Sequence, residues 1–232
     1  MNSSHFSRNL RVKYFLDKLF VYPALFVASP FILLVAVVIK LDGWINPENA
    51  GSVFYTEPRI SADKLFKVIK FRTVTRKGLQ WVYEKPETRS ISRCYPRTQA
   101  GKFVLKWYFD EIPQLFNILR GEMSFVGPRP HIIKVYKDDI QEGCFYRKII
   151  KAGLFGIPQA CKRNLKHERI FSQVGQRRKT AIQALRTIDG IYANECMNRS
   201  IFGILIFDWV IIARFFTIFM RGNTLDEVRE EY

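Results

Sequence analysis

An α+β protein, in which a small mixed helix and strand domain is joined to an N-terminal membrane segment, is predicted by three stretches of this 232-residue sequence. Residues 19–39 contain no charged side chain. Two runs rich in β-branched and aromatic residues flank a turn-like Ser-Ala-Asp-Lys at 61–64. Apolar residues at Phe109, Ile112, Leu115, Phe116 and Leu119 then repeat with a helical period that leaves one buried face. These stretches divide the chain into a basic flank with a membrane helix, residues 1–42, and a domain over 43–232.

The membrane reading rests on length. At about 1.5 Å per residue the 21 positions LFVYPALFVASPFILLVAVVI extend roughly 30 Å as a helix, enough to cross a hydrocarbon core. The run is too long for a secretory signal, and Lys40-Leu41-Asp42 follows it in place of a small-residue cleavage site. Ser29-Pro30 lies at its middle, where proline removes a backbone hydrogen bond and a preceding serine can satisfy the freed carbonyl. Basic residues on both sides leave two topologies open, a kinked span and a helix that returns to the side it entered from.

Residues 52–60 and 65–72 favour strand and read as a hairpin, with Pro58 marking the first as an edge. Lys67, Lys70 and Arg72 make the second strand basic, which suits either a solvated face or one turned to phosphate. Residues 75–100 are polar and aperiodic. After the central helix, whose C-cap is expected at Gly121, comes a rigid Gly127-Pro128-Arg129-Pro130 loop. Residues 131–147 read as a mixed polar helix and 149–160, punctuated by Gly153, Gly156 and Pro158, as a loop. Residues 162–179 are densely basic, in keeping with a solvated helix. In residues 201–220 a strongly apolar pattern is interrupted by Asp208 and Arg214, which favours an interfacial or domain-packed helix over a second span.

Composition narrows the chemistry. Lys and Arg number 37 against 21 acids, a formal charge of +16, so an acidic partner is implied: nucleic acid, anionic lipid or a phosphorylated substrate. Four scattered cysteines form no CxxC pair, which fits a reduced compartment without structural zinc, and three histidines make a histidine-rich metal site improbable. Asp110 and Glu111 open the central helix. Adjacent carboxylates at a helix start are most often caps. Beside basic side chains and a membrane segment they also suit phosphoryl transfer, with aspartate as nucleophile and the second acid helping to hold magnesium among substrate phosphates. Arg129, fixed between Pro128 and Pro130, can offer a phosphate a planar, bidentate donor, and a helix N-terminus adds the positive end of a dipole.

The run DEIPQLFNILRGEMSFVGPRP resembles the core signature of the bacterial sugar transferases, monotopic membrane phosphoglycosyl transferases. FKVIKFRT resembles that family's KFRT strand, the apolar segment with Ser29 and Pro30 its re-entrant helix-break-helix, IIKAGLFGIPQA its PGxTGxxQ loop, and Asp189-Gly-Ile-Tyr192 its late DxxY segment. The resemblance implies that Asp110 attacks the β-phosphate of a nucleoside-diphosphate sugar, that Glu111 is the second acid of the dyad, that both hold Mg2+, and that the phosphosugar passes to polyprenyl phosphate. It further implies a cytoplasmic-membrane protein with its catalytic domain on the cytoplasmic face, acting at the first step of exopolysaccharide, capsule or O-antigen synthesis. A homodimer or a glycan assembly complex is the further partner class. No nucleic acid is expected, because a nucleic-acid binder has no use for the dyad or the GPRP loop.

The sequence departs from the family pattern in four places. Leu105 stands where an arginine associated with phosphate is usual, the segment before it is shortened to Tyr95-Pro-Arg-Thr-Gln-Ala-Gly101, Ala152 and Phe155 replace the proline and threonine of the PGxTG loop, and the hairpin turn lacks glycine. Lys106 or Arg97 is the expected substitute for the lost arginine, beside Lys70, Arg72 and Arg129 as phosphate-binding side chains. The departures keep a second reading open, a degenerate transferase that serves as a membrane scaffold in glycan assembly.

Overall fold

The structure is a computed structural model that describes residues 3–84, 96–160 and 178–220. Helix α1, Ser3–Ile45, is the longest element, and a short 3-10 turn, Pro47–Asn49, leads from it to the hairpin of β1, Phe54–Ser61, and β2, Lys64–Phe71. Then follow α2, Arg76–Glu84, and α3, Gln99–Lys106. A 3-10 turn over Phe109–Gln114 runs directly into α4, Leu115–Leu119. Strand β3, Ser124–Val126, is followed by α5, Ile133–Gln141, a 3-10 turn over Phe145–Lys148, and β4, Gly153–Phe155. Helices α6, Ile157–Ala160, α7, Arg178–Asn198, and α8, Ile201–Met220, complete the described chain. The expected α+β class and long N-terminal apolar helix are both present.

Helix α1 does not stand away from the domain. Its residues Val21, Ala24, Leu25, Ala28, Ile32, Val35 and Ile39 recur at three- and four-residue spacing and pack into two buried clusters. Val21 joins Phe66, Val68, Leu115, Ile118 and Met123, while Val35 and Ile39 join Phe71, Ala100 and Val104. Each fully buried aliphatic side chain contributes about 1.5–3 kcal/mol. The opposite face is apolar and exposed, with Phe26 81% and Trp44 83% accessible. Both α1 and α8 are long and apolar enough to cross a membrane, by length and composition.

The expected interruption at Ser29-Pro30 is not an interruption in the helix: α-helical structure continues through both Pro23 and Pro30. Pro30 has no N–H for the carbonyl of Phe26, and the Ser29 hydroxyl donates to that same oxygen at 2.8 Å. The serine thus satisfies the acceptor that the proline leaves open.

The expected hairpin forms, paired from Phe54 opposite Phe71 to Ser61 opposite Lys64. Ala62 and Asp63 both have positive φ, 46° and 63°, as a two-residue turn matched to strand twist requires. A second sheet appears where a loop was expected, since β3 and β4 pair in parallel through Ser124 opposite Gly153 and Val126 opposite Phe155. A methyl group on Gly153 would lie 2.0 Å from the Gly127 nitrogen, so both positions need glycine for the strands to meet. The described residues of the 75–100 stretch hold two helix starts: Thr75 Oγ1 accepts from Gly78 N–H at 3.3 Å and Thr98 Oγ1 from Gly101 N–H at 2.8 Å. The polar helix expected over 131–147 is α5 followed by a separate 3-10 turn, and nearly all of the basic 162–179 run lies outside the described residues. Cys144 and Cys196 are buried free thiols.

Candidate active site

Tyr108 sets up the site. Its left-handed backbone, φ 56°, turns the chain from α3 into the 3-10 turn that carries Asp110 and Glu111. An L-residue pays a steric cost there, and such strain gathers at functional sites. The Tyr108 ring stands edge-on to Phe215 of α8 at 6.2 Å. The expected helix start is therefore a six-residue 3-10 turn with Pro113 inside it, too short for a helix dipole to add materially to the site. The C-cap is as expected, with Gly121 at φ +74° and its N–H donating to the Ile118 carbonyl at 2.8 Å.

Both carboxylates are buried, Asp110 at 4% and Glu111 at 6% exposure. Glu111 Oε1 accepts from Arg129 Nη2 at 3.1 Å and has Lys70 Nζ at 3.6 Å. The structure thus brings Asp110, Glu111, Lys70 and Arg129 to one place, with β2, the 3-10 turn and the GPRP loop each supplying part. Tyr55 and Lys70 are cross-strand partners. The Tyr55 phenol is held well above its usual range by burial, the Glu57 carboxylate to which it hydrogen-bonds, and the charge of Asp110. Glu57 is in turn ion-paired with Arg59. This Tyr55–Glu57–Arg59 row went unnoticed in the sequence. Its only signal there is strand alternation, which places every second residue of β1 on the face that packs toward the turn.

The remaining expected cations lie in other settings. Arg72 is buried, and its guanidinium donates to the carbonyls of Ser52 at 2.7 Å, Asn49 at 2.6 Å and Val74 at 3.1 Å. It ties the 3-10 turn after α1 to the end of β2, a structural task in place of the expected phosphate contact. Lys106 ends α3 with its ammonium 5.9 Å from the centre of the Trp107 ring. Arg97 sits in a β-bridge to Val74. Leu105 is buried at 3% within α3.

Two buried networks fix the loop that carries Arg129. On one side, Lys13 Nζ donates to Ser124 Oγ at 2.7 Å and pairs with Asp208 Oδ2 at 2.7 Å, while the Tyr192 hydroxyl bridges Asp208 Oδ1 and the Val126 carbonyl at 2.9 and 3.0 Å. On the other, Arg147 Nη1 donates to the Arg129 carbonyl at 3.1 Å and Nη2 pairs with Asp189 at 2.5 Å. Asp139 accepts from His131 Nδ1 at 2.7 Å and from Arg186 Nε at 2.8 Å. Pro128 contributes through its carbonyl, which accepts from Gly153 N–H at 2.9 Å. The Asp189-x-x-Tyr192 spacing therefore places one residue in each network, one helical turn apart.

An aromatic cluster joins the site to the apolar helices. Phe109, next to Asp110, meets Phe31 of α1 at 4.5 Å and Trp107 at 6.5 Å, and Trp107 meets Phe219 of α8 at 5.8 Å. Among the described residues no group of three or more His, Cys, Asp or Glu could hold a metal by itself.

An acidic pair braced by cations, on a domain carried by long apolar helices, is the setting in which the family relationship falls. Residues 8–221 match the family model for bacterial sugar transferases, and the chain belongs to that family. It is 41% identical over 105 residues to the undecaprenyl-phosphate glucose phosphotransferase of Komagataeibacter xylinus, covering 44% of this chain and 18% of that protein. It is 36% identical over 157 residues to the exopolysaccharide production protein ExoY of Rhizobium meliloti (strain 1021), covering 61% and 65%. It is 32% identical over 154 residues to the undecaprenyl-phosphate galactose phosphotransferase of Salmonella typhimurium (strain LT2), covering 60% and 32%. The match spans less than two thirds of the length of each of these three relatives.

Proposed function

We propose that this chain is a phosphoglycosyl transferase that moves a sugar phosphate from a nucleoside-diphosphate sugar to undecaprenyl or a similar polyprenyl phosphate, as the first step of exopolysaccharide, capsule or O-antigen synthesis. The observation that carries the reading is Glu111 held between Arg129 and Lys70, directly beside Asp110. In the first step an Asp110 carboxylate oxygen bonds to the β-phosphorus, the bond to the bridging oxygen breaks, and the nucleoside monophosphate leaves. In the second, an oxygen of the lipid phosphate bonds to that phosphorus and the Asp110 oxygen departs, giving a lipid diphosphate sugar. Arg129 and Lys70 are cations suited to the phosphate charge that builds up during both displacements. The aromatic cluster from Phe31 to Phe219 offers an isoprenoid chain an apolar approach to the aspartate.

Magnesium fits this donor set. Asp110 and Glu111 supply two carboxylates, which matches an ion that completes its shell with substrate phosphates and water rather than one held in an all-protein cage. When bound it would neutralise phosphate charge at the phosphorus under attack. Location at the cytoplasmic face of the inner membrane, with α1 held in one leaflet, is part of the same proposal. Asn9 near one end of α1 bonds to the Arg199 carbonyl, and Asp42 near the other accepts from Ala100 N–H, so both ends engage one domain. A helix that crossed the bilayer once would carry its ends to opposite sides.

The test is release of nucleoside monophosphate from a panel of sugar nucleotides with magnesium and polyprenyl phosphate, alongside trapping of radiolabelled phosphosugar. Wild-type protein is expected to release the monophosphate and retain label, and Asp110→Asn to do neither. Full turnover by the variant would remove Asp110 as nucleophile. The second reading, a scaffold without catalysis, is motivated by Leu105, buried where a phosphate-binding arginine is usual. It predicts binding of polyprenyl phosphate with no monophosphate released from any donor.

A further inference from the structure

Three lysines on the described surface converge without an ion pair of their own. Gly121 closes α4 with φ +74°, and a methyl group placed on it would lie 3.0 Å from Lys18 Nζ and 3.8 Å from Lys151 Nζ. The two ammonium groups therefore gather at one glycine, at the far end of the 109–121 segment from the acidic pair. Lys64 stands opposite Ser61 in the hairpin, and the Ser61 hydroxyl accepts from Ala152 N–H at 3.0 Å, which places Lys64 on the same face, beside Lys151. Burial, then the charge of Lys18, with smaller contributions from Lys13 and Lys64, lowers the Lys151 pKa against the opposing pull of Asp17. Among the described residues neither Lys18, Lys64 nor Lys151 has an ion-pair partner. Asp17 is already taken, by the Ser124 hydroxyl at 2.6 Å and by Lys13 at 3.4 Å.

Lys18 is also the last charged residue before the uncharged run 19–39. Its neighbours three and four positions away on the helix surface include Phe15 and Tyr22, both exposed, and Tyr14, whose ring centre lies 4.3 Å from Lys151 Nζ. Ammonium groups beside exposed aromatic rings at the polar end of an apolar helix face occupy the headgroup level of a bilayer. There each lysine attracts an anionic lipid, and a phosphate diester can accept from two ammonium groups at once. We propose that Lys18, Lys151 and Lys64 form a binding site for the phosphate headgroup of an anionic membrane lipid, whose acyl chains lie along the exposed side of α1. The inference needs α1 at a membrane surface and does not depend on the transferase chemistry.

The test uses the full chain purified in neutral detergent, with thermal unfolding followed as phosphatidylglycerol, phosphatidylcholine or inorganic phosphate is added. Phosphatidylglycerol is expected to raise Tm by several degrees, with little change from the other two. Lys18→Gln with Lys151→Gln is expected to lose that response, and Lys18→Arg with Lys151→Arg to keep it. Because the lysines repel one another, the glutamine pair is also expected to raise Tm in the absence of lipid, which loss of a purely structural contact would not do. Lys64→Gln, on an exposed turn, gives a partial loss and serves if the double variant fails to fold. Equal shifts from both lipids, or a full phosphatidylglycerol response in the glutamine variants, overturn the proposal. An equal shift from inorganic phosphate overturns the lipid as the source of the anion.

Discussion

Arg129 Nη2 lies 3.1 Å from Glu111 Oε1, an ion pair between a half-exposed arginine and a nearly buried carboxylate. The arginine is 50% exposed along its side chain while its backbone carbonyl is held by Arg147. Its anchor is thus inside the protein and its guanidinium at the edge of the site. Such an arrangement costs little fold stability when the guanidinium is removed, since pairs open to solvent contribute about 0–1 kcal/mol. Loss of a positioned charge at a phosphoryl centre costs roughly 100-fold or more in turnover. Arg129→Ala is therefore expected to cut nucleoside-monophosphate release about 100-fold with Tm nearly unchanged. Arg129→Lys, which keeps the charge and loses the fork, is expected to fall between them. A large fall in Tm for Arg129→Ala would instead make this residue part of the scaffold.

The hairpin turn supplies a stability prediction remote from the site. Ala62 adopts φ 46° and Asp63 φ 63°, and Tyr136 donates to the Asp63 carboxylate at 2.6 Å, so Asp63 has compensation that Ala62 lacks. The left-handed conformation costs an L-residue about 1–2 kcal/mol, part of which glycine gives back through a more flexible unfolded chain. Ala62→Gly is expected to stabilise the protein by about 1 kcal/mol and raise Tm by about 2–4 °C, with unchanged turnover. A lower Tm would mean the turn tolerates alanine without strain.

How much of this was visible in the sequence depends on how local each feature is. The apolar run of α1, the hairpin and the Gly121 cap are set by neighbours in the chain, and all three were legible. So was the dyad. The β3–β4 pair was not, because strands of three residues carry no period and their pairing rests on Gly127 meeting Gly153 across the fold. Arg72 looked like one more cation on a basic strand, and only the folded chain brings the Asn49, Ser52 and Val74 carbonyls around it. Lys13 and Asp208 were the most misleading. One read as part of a basic flank and the other as a flaw in an apolar helix, yet together they make a buried pair between α1 and α8.

That pair is open to a direct test. Lys13 is fully buried, so Asp208→Leu leaves an ammonium group short of the closer of its two carboxylate partners. Breaking a buried pair from one side typically costs about 3–5 kcal/mol, whereas replacing both partners with apolar residues of similar volume is often neutral. Asp208→Leu is expected to lower Tm sharply, and Lys13→Met with Asp208→Leu to recover part of the loss, because Asp17 keeps its bond from Ser124 while losing the charge of Lys13. Equal Tm values for the single and double variants would show that the charges do not act as a pair. The double variant is also expected to keep phosphatidylglycerol-dependent stabilisation, since Lys13 is not among the unpaired lysines.

The second network behind Arg129 gives a prediction in pH. Burial, reinforced by the charge of Arg147, lowers the His131 pKa from 6.5 to about 4. Burial raises Asp189 from 3.8 to about 6 despite its pairing with Arg147. Between pH 4 and 6, unfolding therefore lets the His131 ring take up a proton and the Asp189 carboxyl release one. The two changes oppose each other, and their sum gives stability little slope in that window. Asp139, lowered because the hydrogen bond from His131 and the charge of Arg147 outweigh its burial, titrates below it. Single substitutions uncover each half. In Asp189→Asn only the histidine remains, the unfolded chain binds the extra proton, and stability is expected to fall as pH drops from 6.5 towards 4. In His131→Gln only the aspartate remains, the folded state holds the extra proton, and stability is expected to fall as pH rises from 3.8 towards 6. Denaturant unfolding of both variants at several pH values across the window reads the two slopes, and slopes of the same sign would exclude this assignment of the protons.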